Sequence, residues 1–352
     1  MSANTDRPIA PSVTSAKHSP PSPPKPSQVS LQAAHSYERD ALTAALVKLL
    51  APLGGIEAIV KPGDRVLLKP NLLTGARPTK ECTTRPELVY CVAKLVQKAG
   101  GKPFLGDSPA FGSAAGVAKA NGLDQLAAEL NLPIVEFHGQ RFAIGAEQAQ
   151  QREHDLQHLR LSKEALGADV IINLPKVKSH AQMTLTVGVK NLFGCVPGKM
   201  KAWWHMELGK DINKFARMLI ETAIAISPQL TIVDGIIGHE GNGPSGGEPR
   251  NLGVLAASTD VFAVDRVVTE ILSIDSQQVP IMAESIRLGL CADLSDIEIV
   301  GSELEQLRLS DWQLPEKLIP VDFGMPRIVK STFKHFYIKF IKEPISAYAR
   351  TS

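Results

Sequence analysis

Lysine, histidine and asparagine side chains are concentrated in one stretch of the chain, residues 173–205, which contains no acidic residue. Lysines hold carboxylate or phosphate groups as point charges, and a lysine desolvated among other cations loses enough basicity to act as a general base. These residue types predict a site for a small anion, with proton transfer as its chemistry. The catalytic candidates are His180, Lys178 and Lys190, and the anion-binding candidates are Lys69, Asn71, Asn173, Lys176 and Asn191.

The alternative for this stretch is a solvated basic loop, which is what most runs of charge are. Two features of the sequence argue against that alternative. The cations alternate with apolar residues such as Val177, Leu185 and Val189, which favour burial, and Gly188 and Gly194 indicate a defined backbone path. We therefore interpret the stretch as a loop that leaves a buried strand and forms a binding site.

A second group of polar residues lies in a glycine-rich stretch, residues 234–248. Asp234, His239 and Glu240 offer carboxylate oxygens and an imidazole nitrogen, which are donors suited to a divalent metal ion. The stretch lacks the GK[ST] ending of a Walker loop, and its spacing does not match the dinucleotide-binding GxGxxG pattern. We interpret it as a loop that binds a cation or moves a proton. The alternative is a long flexible loop without a ligand.

The elements that must position these residues are short buried strands. Val170, Ile171 and Ile172 form a β-branched run without alternation, which is typical of a central parallel strand. Other strands are predicted at residues 66–68, 102–105, 230–233 and 253–257. Because helices alternate with these strands, we predict a doubly wound α/β fold with a mostly parallel sheet and helices on both faces. The carboxyl ends of its strands would bring the candidate residues to one edge.

Two of the predicted helices have clear start signals. Thr84 and Glu87 have the spacing of a capping box, and Asp260 precedes an apolar helix over residues 261–272. Asp265 interrupts the apolar face of that second helix. We interpret Asp265 as a structural residue.

Composition excludes several classes of protein. The net charge of +2 and the aromatic content of 5% do not fit a nucleic-acid binder. No apolar run is long enough to span a bilayer, and the amino terminus lacks the apolar core of a secretory signal. The cysteines form no CxxC pair, which predicts a reducing, cytoplasmic compartment without a local zinc or iron–sulfur motif. They are Cys82, Cys91, Cys195 and Cys291.

The chain divides into three parts by composition. Residues 1–32 form a Pro/Ser-rich tail that we expect to be disordered. Residues 33–325 are predicted to form the α/β domain, in one lobe or two. Residues 326–352 have the pattern of a basic amphipathic helix, which fits peripheral contact with an anionic membrane or a partner, or docking on the chain's own domain.

Several of these motifs resemble the domain-of-unknown-function family 362. The matching blocks are Lys69-Pro70-Asn71, Gly106-Asp107-Ser108, Asn173-Leu174-Pro175-Lys176-Val177-Lys178-Ser179-His180, Lys190-Asn191-Leu192-Phe193-Gly194, and Asp234-Gly235-Ile236 with Gly241-Asn242-Gly243-Pro244. The resemblance runs from about residue 66 to about residue 265 and implies an α/β domain. Many members carry a ferredoxin-like CxxCxxCxxxCP segment after this domain, so the resemblance also implies a 4Fe-4S cluster. This sequence departs from the pattern, because no such cysteines follow the domain.

Three functions are consistent with these residues. The leading hypothesis is an enzyme that acts on a small anionic metabolite, a carboxylate or a phosphate ester, with a divalent metal ion at the glycine-rich stretch. The second is an iron–sulfur or ferredoxin-linked redox module with a ferredoxin-type partner, which the family resemblance implies. The third is a non-catalytic binding protein whose basic carboxyl-terminal segment contacts a partner or a membrane.

Overall fold

A mixed sheet of ten strands forms the centre of the protein, and a separate pair of strands, β5 and β6, lies beside it. The computed structural model describes residues 26–152, 156–198, 200–321 and 337–338. The strands in these ranges are β1 (Gln28–Ala33), β2 (Arg65–Pro70), β3 (Lys102–Gly106), β4 (Ile134–Val135), β5 (Gly139–Ala143), β6 (His158–Ser162), β7 (Val170–Leu174), β8 (Lys176–His180), β9 (Thr184–Thr186), β10 (Leu230–Glu240), β11 (Glu248–Ser258) and β12 (Glu298–Gly301). The helices are α1 (Arg39–Leu50), α2 (Pro86–Lys98), α3 (Ala114–Asn121), α4 (Leu123–Glu129), α5 (Ala146–Gln151), α6 (Lys163–Leu166), α7 (Gly188–Leu192), α8 (Met200–Leu208), α9 (Ile212–Ile226), α10 (Val261–Ile271), α11 (Pro280–Arg287) and α12 (Leu304–Leu307).

Five neighbouring strands in the sheet run parallel, in the order β10-β7-β2-β3-β4. β11 runs antiparallel to β10, β1 runs antiparallel to β11, and β12 completes that end of the sheet. The register of the parallel strands places Lys69 beside Asn173, so their carboxyl ends meet at one edge. The predicted α/β class with a mostly parallel sheet is confirmed.

Alternate residues of the central strands pack on opposite faces of the sheet. Leu67 and Ile171 belong to a core that includes the buried residues of α9 and α10. Leu68 and Ile172 belong to a second core, with the buried residues of α1 and α2. Helices therefore cover both faces, as the alternating pattern of strands and helices predicts.

The stretch after β7 is a buried hairpin, and the prediction of a loop there is wrong. Every residue of β8 is buried, and β8 pairs with β10 on one side and with β9 on the other. The period of two places Lys176, Lys178 and His180 on one side of the strand, and Val177 and Ser179 on the other. A strand therefore carries the cationic side chains of the candidate site.

The glycine-rich stretch is also more regular than a loop. Its first part continues β10 to Glu240, and the remaining residues connect β10 to β11 as a hairpin. Gly243 packs directly on β8, since a side chain at this position would collide with the carbonyl group of Ser179. The carbonyl oxygen of Gly243 accepts a hydrogen bond from the amide of Ala181 at 3.0 Å. This part of the chain is thus fixed against the strand that carries the candidate residues.

The α/β domain begins earlier than composition predicts. β1 falls within the predicted 1–32 tail because Val29 and Leu31 are buried in a strand paired with β11 and β12. The rest of the tail, residues 1–25, lies outside the described residues, as does the basic segment 326–352 except for residues 337–338. Among the described residues, no helix is long and apolar enough to cross a membrane.

The two predicted helix starts differ in outcome. Asp260 caps α10 by accepting hydrogen bonds from two backbone amides of its first turn, as predicted. Thr84 does not cap α2, and the predicted capping box is wrong. Its hydroxyl group donates to the carbonyl of Leu174 at 2.6 Å and accepts from the amide of Asn71 at 2.8 Å. Thr84 therefore joins the carboxyl ends of β2 and β7 instead.

Asp265, which belongs to α10, caps a different helix. Its carboxylate accepts hydrogen bonds from Gly188 N at 2.7 Å and Val189 N at 3.0 Å, the first two residues of α7. Burial raises the pKa of Asp265 to about 7, although the two amide hydrogen bonds act in the opposite direction. Asp265 thus holds α7, which carries Lys190 and Asn191, against α10.

The raised pKa of Asp265 predicts a pH dependence of stability. Because its pKa of about 7 in the folded protein exceeds the ordinary value of 3.8, the folded state binds more protons between these values. The wild-type protein therefore loses stability as the pH rises through this window, and Asp265→Asn removes that contribution. We expect the free energy of unfolding of the variant, relative to wild type, to increase from about pH 4.5 to about pH 7.5 in urea titrations. A constant difference across this range would contradict the assignment.

Candidate functional site

The ammonium group of Lys176 lies in a buried cluster of acidic groups. It donates to Glu81 Oε2 at 2.8 Å, to Asp234 Oδ2 at 3.2 Å and to the hydroxyl oxygen of Tyr37 at 3.0 Å. Tyr37 donates in turn to Asp234 Oδ1 at 2.6 Å, and burial together with the charge of Asp234 raises the pKa of Tyr37 well above its ordinary value. The pairing of β8 with β10 places Asp234 opposite Lys176. Two carboxylates therefore neutralise this predicted anion-binding lysine.

Lys69 is also paired with a carboxylate. Its Nζ forms an ion pair with Asp107 Oδ1 at 2.8 Å and donates to the carbonyl oxygen of Pro70 at 2.8 Å. Asp107 directly follows β3, so the ion pair joins the ends of two neighbouring strands. Gly194 lies against the pair, since a side chain there would collide with both Asp107 and Lys69. The backbone at residue 194 approaches this ion pair so closely that only glycine fits there.

The three predicted amide residues form one hydrogen-bond network. Asn191 Oδ1 accepts from Asn71 Nδ2 at 2.8 Å, and Asn191 Nδ2 donates to Asn173 Oδ1 at 2.8 Å. Asn173 donates to the carbonyl oxygen of Gly188 at 3.1 Å. The strand ends of β2 and β7 and the helix α7 are thereby joined, as the convergence of carboxyl ends predicts.

Lys178 is buried and has no carboxylate in hydrogen-bond contact among the described residues. Its Nζ donates to Asn71 Oδ1 and to the carbonyl oxygen of Cys82, each at 2.8 Å. Burial lowers the pKa of Lys178 to about 7, although the Cys82 thiol and the Asp107 carboxylate act in the opposite direction. The amine is thus poised between its charged and neutral forms at neutral pH.

His180, at the end of β8, is held in one tautomer. Its Nδ1 accepts hydrogen bonds from Gln182 N at 3.1 Å and Met183 N at 3.3 Å, so the ring proton lies on Nε2. Burial, followed by the charges of Lys190 and Lys178, lowers the pKa of His180 well below its ordinary value. The imidazole is therefore neutral at pH 7 and presents an N–H donor.

Lys190 differs from the other lysines of the site in its contacts. Within the described ranges its ammonium group has no hydrogen-bond or ion-pair partner, and it lies 4.8 Å from the centre of the Phe193 ring. Burial, followed by the charges of Lys201 and Lys178, lowers the pKa of Lys190 to about 7. The residue as a whole is partly exposed.

Lys201, on α8, is a site residue that the sequence does not single out. Its Nζ donates to the carbonyl oxygen of Ser108 and lies 5.9 Å from the centre of the same Phe193 ring. Burial is the main cause that lowers the pKa of Lys201 to about 8. We call Lys178, Lys190 and Lys201 the amine cluster. None of the three forms an ion pair with a carboxylate in the part of the chain that the structure describes.

Residues 312–321, which we call the cover segment, pass over the end of β8. The indole N–H of Trp312 donates to Ser179 Oγ at 3.0 Å, and the amide of Ile319 donates to the carbonyl oxygen of Ala181 at 2.7 Å. Trp312 is buried against Gly238 of β10, where a side chain would collide with the indole ring. The cover segment is thus fixed against the end of β8 that carries His180.

The three predicted metal ligands have separate partners in the described part of the chain. Asp234 belongs to the ion-pair cluster, Glu240 Oε2 accepts from Gln313 N at 3.0 Å, and His239 Nε2 accepts from Gly247 N at 3.1 Å. Because His239 and Glu240 are consecutive in β10, their side chains point to opposite faces of the sheet. Over the described residues, no group of three His, Cys, Asp or Glu side chains is placed to hold a metal ion. A metal site at these three residues stays a prediction that this geometry does not support.

The cysteines do not fit the iron–sulfur cluster that the family resemblance implies. All four are buried, free thiols; Cys91 lies in α2, and Cys82, Cys195 and Cys291 lie in connections between the named helices and strands. Burial raises the pKa values of Cys195 and Cys291 to about 12, which opposes the thiolate form that binds iron. No three of them gather with one another or with His, Asp or Glu side chains in the described ranges.

Two acid-cluster residues were missed because they are remote from the motifs. Tyr37 lies 139 residues before Lys176 in the chain, just before α1. Glu81 adopts the left-handed conformation with φ of 50° in a short connection before α2, where no periodic pattern exists. A signal was available in principle, since a buried lysine such as Lys176 favours a compensating acid from elsewhere in the chain.

The comparisons with known proteins define the class of this chain. The family model described as Domain of unknown function (DUF362) matches residues 66–270, and the chain belongs to this family. The thylakoid-associated protein sll1697 of Synechocystis sp. (strain ATCC 27184 / PCC 6803 / Kazusa) is 60% identical over 320 residues, which is 91% of this chain and 98% of the relative. Among solved structures, the lactate racemase apoprotein from Thermoanaerobacterium thermosaccharolyticum is similar with a TM-score of 0.43 and 15% identity, over 67% of this chain and 55% of that chain.

The ion-pair cluster predicts a large effect of Lys176→Met on stability. Removing the ammonium group leaves the buried carboxylate of Asp234 without its ion-pair partner and leaves Glu81 with Arg85 as its remaining cation. We expect the free energy of unfolding to fall by about 3–5 kcal/mol, measured by urea titration at pH 7. Lys214→Met is the matched control, because Lys214 is exposed on α9 and its replacement is expected to change stability by about 0.5 kcal/mol or less. Equal stability of the two variants would refute the structural role of Lys176.

Proposed function

We propose that this protein is an enzyme that binds a small anionic metabolite, a carboxylate or a phosphate ester, at the amine cluster. The observation that supports this proposal is the lack of a carboxylate ion-pair partner for the three amines among the described residues, although burial lowers the pKa of each. Lys69 and Lys176 have buried carboxylates beside them, so their charges are already balanced. A bound anion would supply the corresponding negative charge to the amine cluster.

Lys190 is the proposed proton acceptor, and His180 is the proposed hydrogen-bond donor to the substrate. An acid or base works best when its pKa lies near the operating pH, and the pKa of Lys190 is about 7. A substantial fraction of Lys190 is therefore neutral at pH 7 and can accept a proton. His180 presents Nε2–H, because its Nδ1 accepts two backbone hydrogen bonds. Lys178, whose pKa is also about 7, shares the charge of the bound anion or takes the role of base.

The proposal predicts that anions stabilise the protein in a manner that depends on the amine cluster. Inorganic phosphate and acetate should raise the melting temperature of the wild-type protein, since ligands that bind only the folded state stabilise it. Lys178→Met or Lys190→Met should weaken binding about 10- to 100-fold, because each variant removes a charged hydrogen-bond donor. The affinity should fall as the pH rises from about 7 to about 9, because the amines then lose the protons that the anion requires.

Lys214→Met serves as the control for this experiment, and its stabilisation by phosphate and acetate should equal that of wild type. Lys190→Met is expected to fold, because the amine of Lys190, a partly exposed residue, has no hydrogen-bond or ion-pair partner in the described ranges to leave behind. Undiminished binding of both anions by Lys178→Met and Lys190→Met would remove the basis of the proposal.

A second proposed function is peripheral association of this protein, from the cytoplasm, with an anionic membrane surface. The name of the Synechocystis relative, a thylakoid-associated protein, supports the proposal. So does the segment from Arg327 to Lys342, which contains five basic residues, four aromatic residues and no acid. Each basic residue near an anionic lipid surface contributes about 1 kcal/mol to binding.

Co-sedimentation with lipid vesicles tests this second proposal. We expect the full chain to bind vesicles that contain phosphatidylglycerol, to bind less as salt is added, and not to bind neutral phosphatidylcholine vesicles. A chain that ends at residue 326 should lose this binding and keep the stabilisation by phosphate. Membrane binding that survives the truncation would exclude the segment as the contact.

A further inference from the structure

The amine of Lys190 has fewer partners that could balance its positive charge than the amines of Lys69, Lys176 and Lys178, among the described residues. Lys69 and Lys176 have carboxylates at 2.8 Å, and Lys178 donates to two neutral oxygens at 2.8 Å. Lys190 has no such partner within the described ranges, and the face of the Phe193 ring is its cation contact. Its lone pair is therefore not occupied by a hydrogen bond from any described group.

The surroundings of Lys190 oppose its protonation. Leu185, Val187, Val279 and Ile281 line a cavity of about 10 Å³ beside it, which has room for about one water molecule. Asp265 reaches the same cavity, but its carboxylate is occupied by the amides that begin α7. The nearest charges that act on Lys190 are the cations Lys201 and Lys178.

A neutral lysine amine in such surroundings is a nucleophile. Desolvation in an apolar pocket and a neighbouring cation are the two established ways to activate lysine for attack on a carbonyl carbon. Lys190 has both of them. Lys190 is partly exposed as a residue, and the neighbouring amines are suited to hold a carboxylate beside it.

We propose that Lys190 forms a Schiff base with a small 2-oxo carboxylate whose carboxylate group is held by Lys178 and Lys201. This inference rests on the proposed anion site and specifies its substrate class. It follows from the position of an unpaired amine, on a partly exposed residue, near two cations that lack carboxylate partners in the described part of the chain.

The step needs no oxidant, reductant or cofactor. The nitrogen of Lys190 attacks the carbonyl carbon and forms a C–N bond, and the carbonyl oxygen takes up a proton. The C–O bond then breaks, and the oxygen leaves as water with the two protons that the amine has lost. The product is an imine that water can hydrolyse back to the free lysine and the 2-oxo acid. His180 Nε2–H is available as a hydrogen-bond donor to the departing oxygen.

Reductive trapping tests the inference. The full-length protein is incubated with pyruvate or glyoxylate and sodium cyanoborohydride, which reduces an imine to a stable secondary amine. We expect a mass increase equal to the mass of the oxo acid minus one oxygen atom, located at Lys190 by peptide mapping. Lys190→Arg should lose this adduct, and Lys214→Met should retain it. Excess phosphate should slow trapping by occupying the anion site.

The pH dependence of trapping separates Lys190 from ordinary surface lysines. Its rate should rise between about pH 6 and about pH 8, as an amine with a pKa of about 7 becomes neutral. For an exposed lysine, with a pKa of about 10.4, the trapping rate would rise only well above about pH 8. A profile of the latter kind, or equal labelling of several surface lysines, overturns the inference.

Binding of phosphate, measured in parallel by thermal shift, distinguishes this inference from the function on which it rests. Stabilisation by phosphate without an adduct at Lys190 overturns the Schiff base and leaves the anion site standing. The absence of both stabilisation and adduct overturns the two together. An adduct that forms equally fast in Lys178→Met would overturn the role of Lys178 in holding the carboxylate.

Discussion

The side-chain amide of Asn191 is the contact on which the geometry of the site depends. Its oxygen accepts from Asn71 at 2.8 Å and from Lys69 at 3.3 Å, and its nitrogen donates to Asn173 at 2.8 Å. These bonds use both ends of the amide and fasten the short helix α7 to the carboxyl ends of β2 and β7. Lys190 precedes Asn191 in the same helix, so the network that orients the amide also determines where the amine stands. A helix of five residues does not hold its own position without such contacts.

The buried lysines form a graded series in how their charges are balanced. Lys176 has two carboxylates, Lys69 has one, Lys178 has two neutral oxygens, and Lys190 has neither within the described ranges. Burying an ammonium group is costly unless a well-placed partner compensates it. The first two lysines can therefore be explained by the structure alone, since they join strand ends to residues from distant parts of the chain. The last two carry an electrostatic cost that the fold does not require, and uncompensated groups of this kind cluster at functional sites.

The sequence predicts the sheet and the edge that gathers the polar residues, because both follow from local patterns. Buried β-branched runs identify the parallel strands, and the rule that their carboxyl ends share an edge brings Lys69, Asn173 and Asn191 together. What local patterns do not contain is the partner of each charge. Glu81 comes from an aperiodic connection, and Thr84 bonds to two strand ends rather than to its own helix. The same limit explains why the sequence predicts a loop where β8 lies. Nothing near β8 in the sequence shows the partners that allow its lysines to be buried.

Burial and the lack of an acid partner must act together to make a reactive amine. A lysine in water keeps its proton because solvent stabilises the charge, and a lysine beside a carboxylate keeps it because the ion pair does. In this protein burial lowers the pKa of each amine in the amine cluster, while the carboxylates of Asp107, Asp234 and Glu81 form ion pairs with Lys69 and Lys176. The ion pairs hold these carboxylates at Lys69 and Lys176, and the amine cluster has no ion pair with a carboxylate among the described residues.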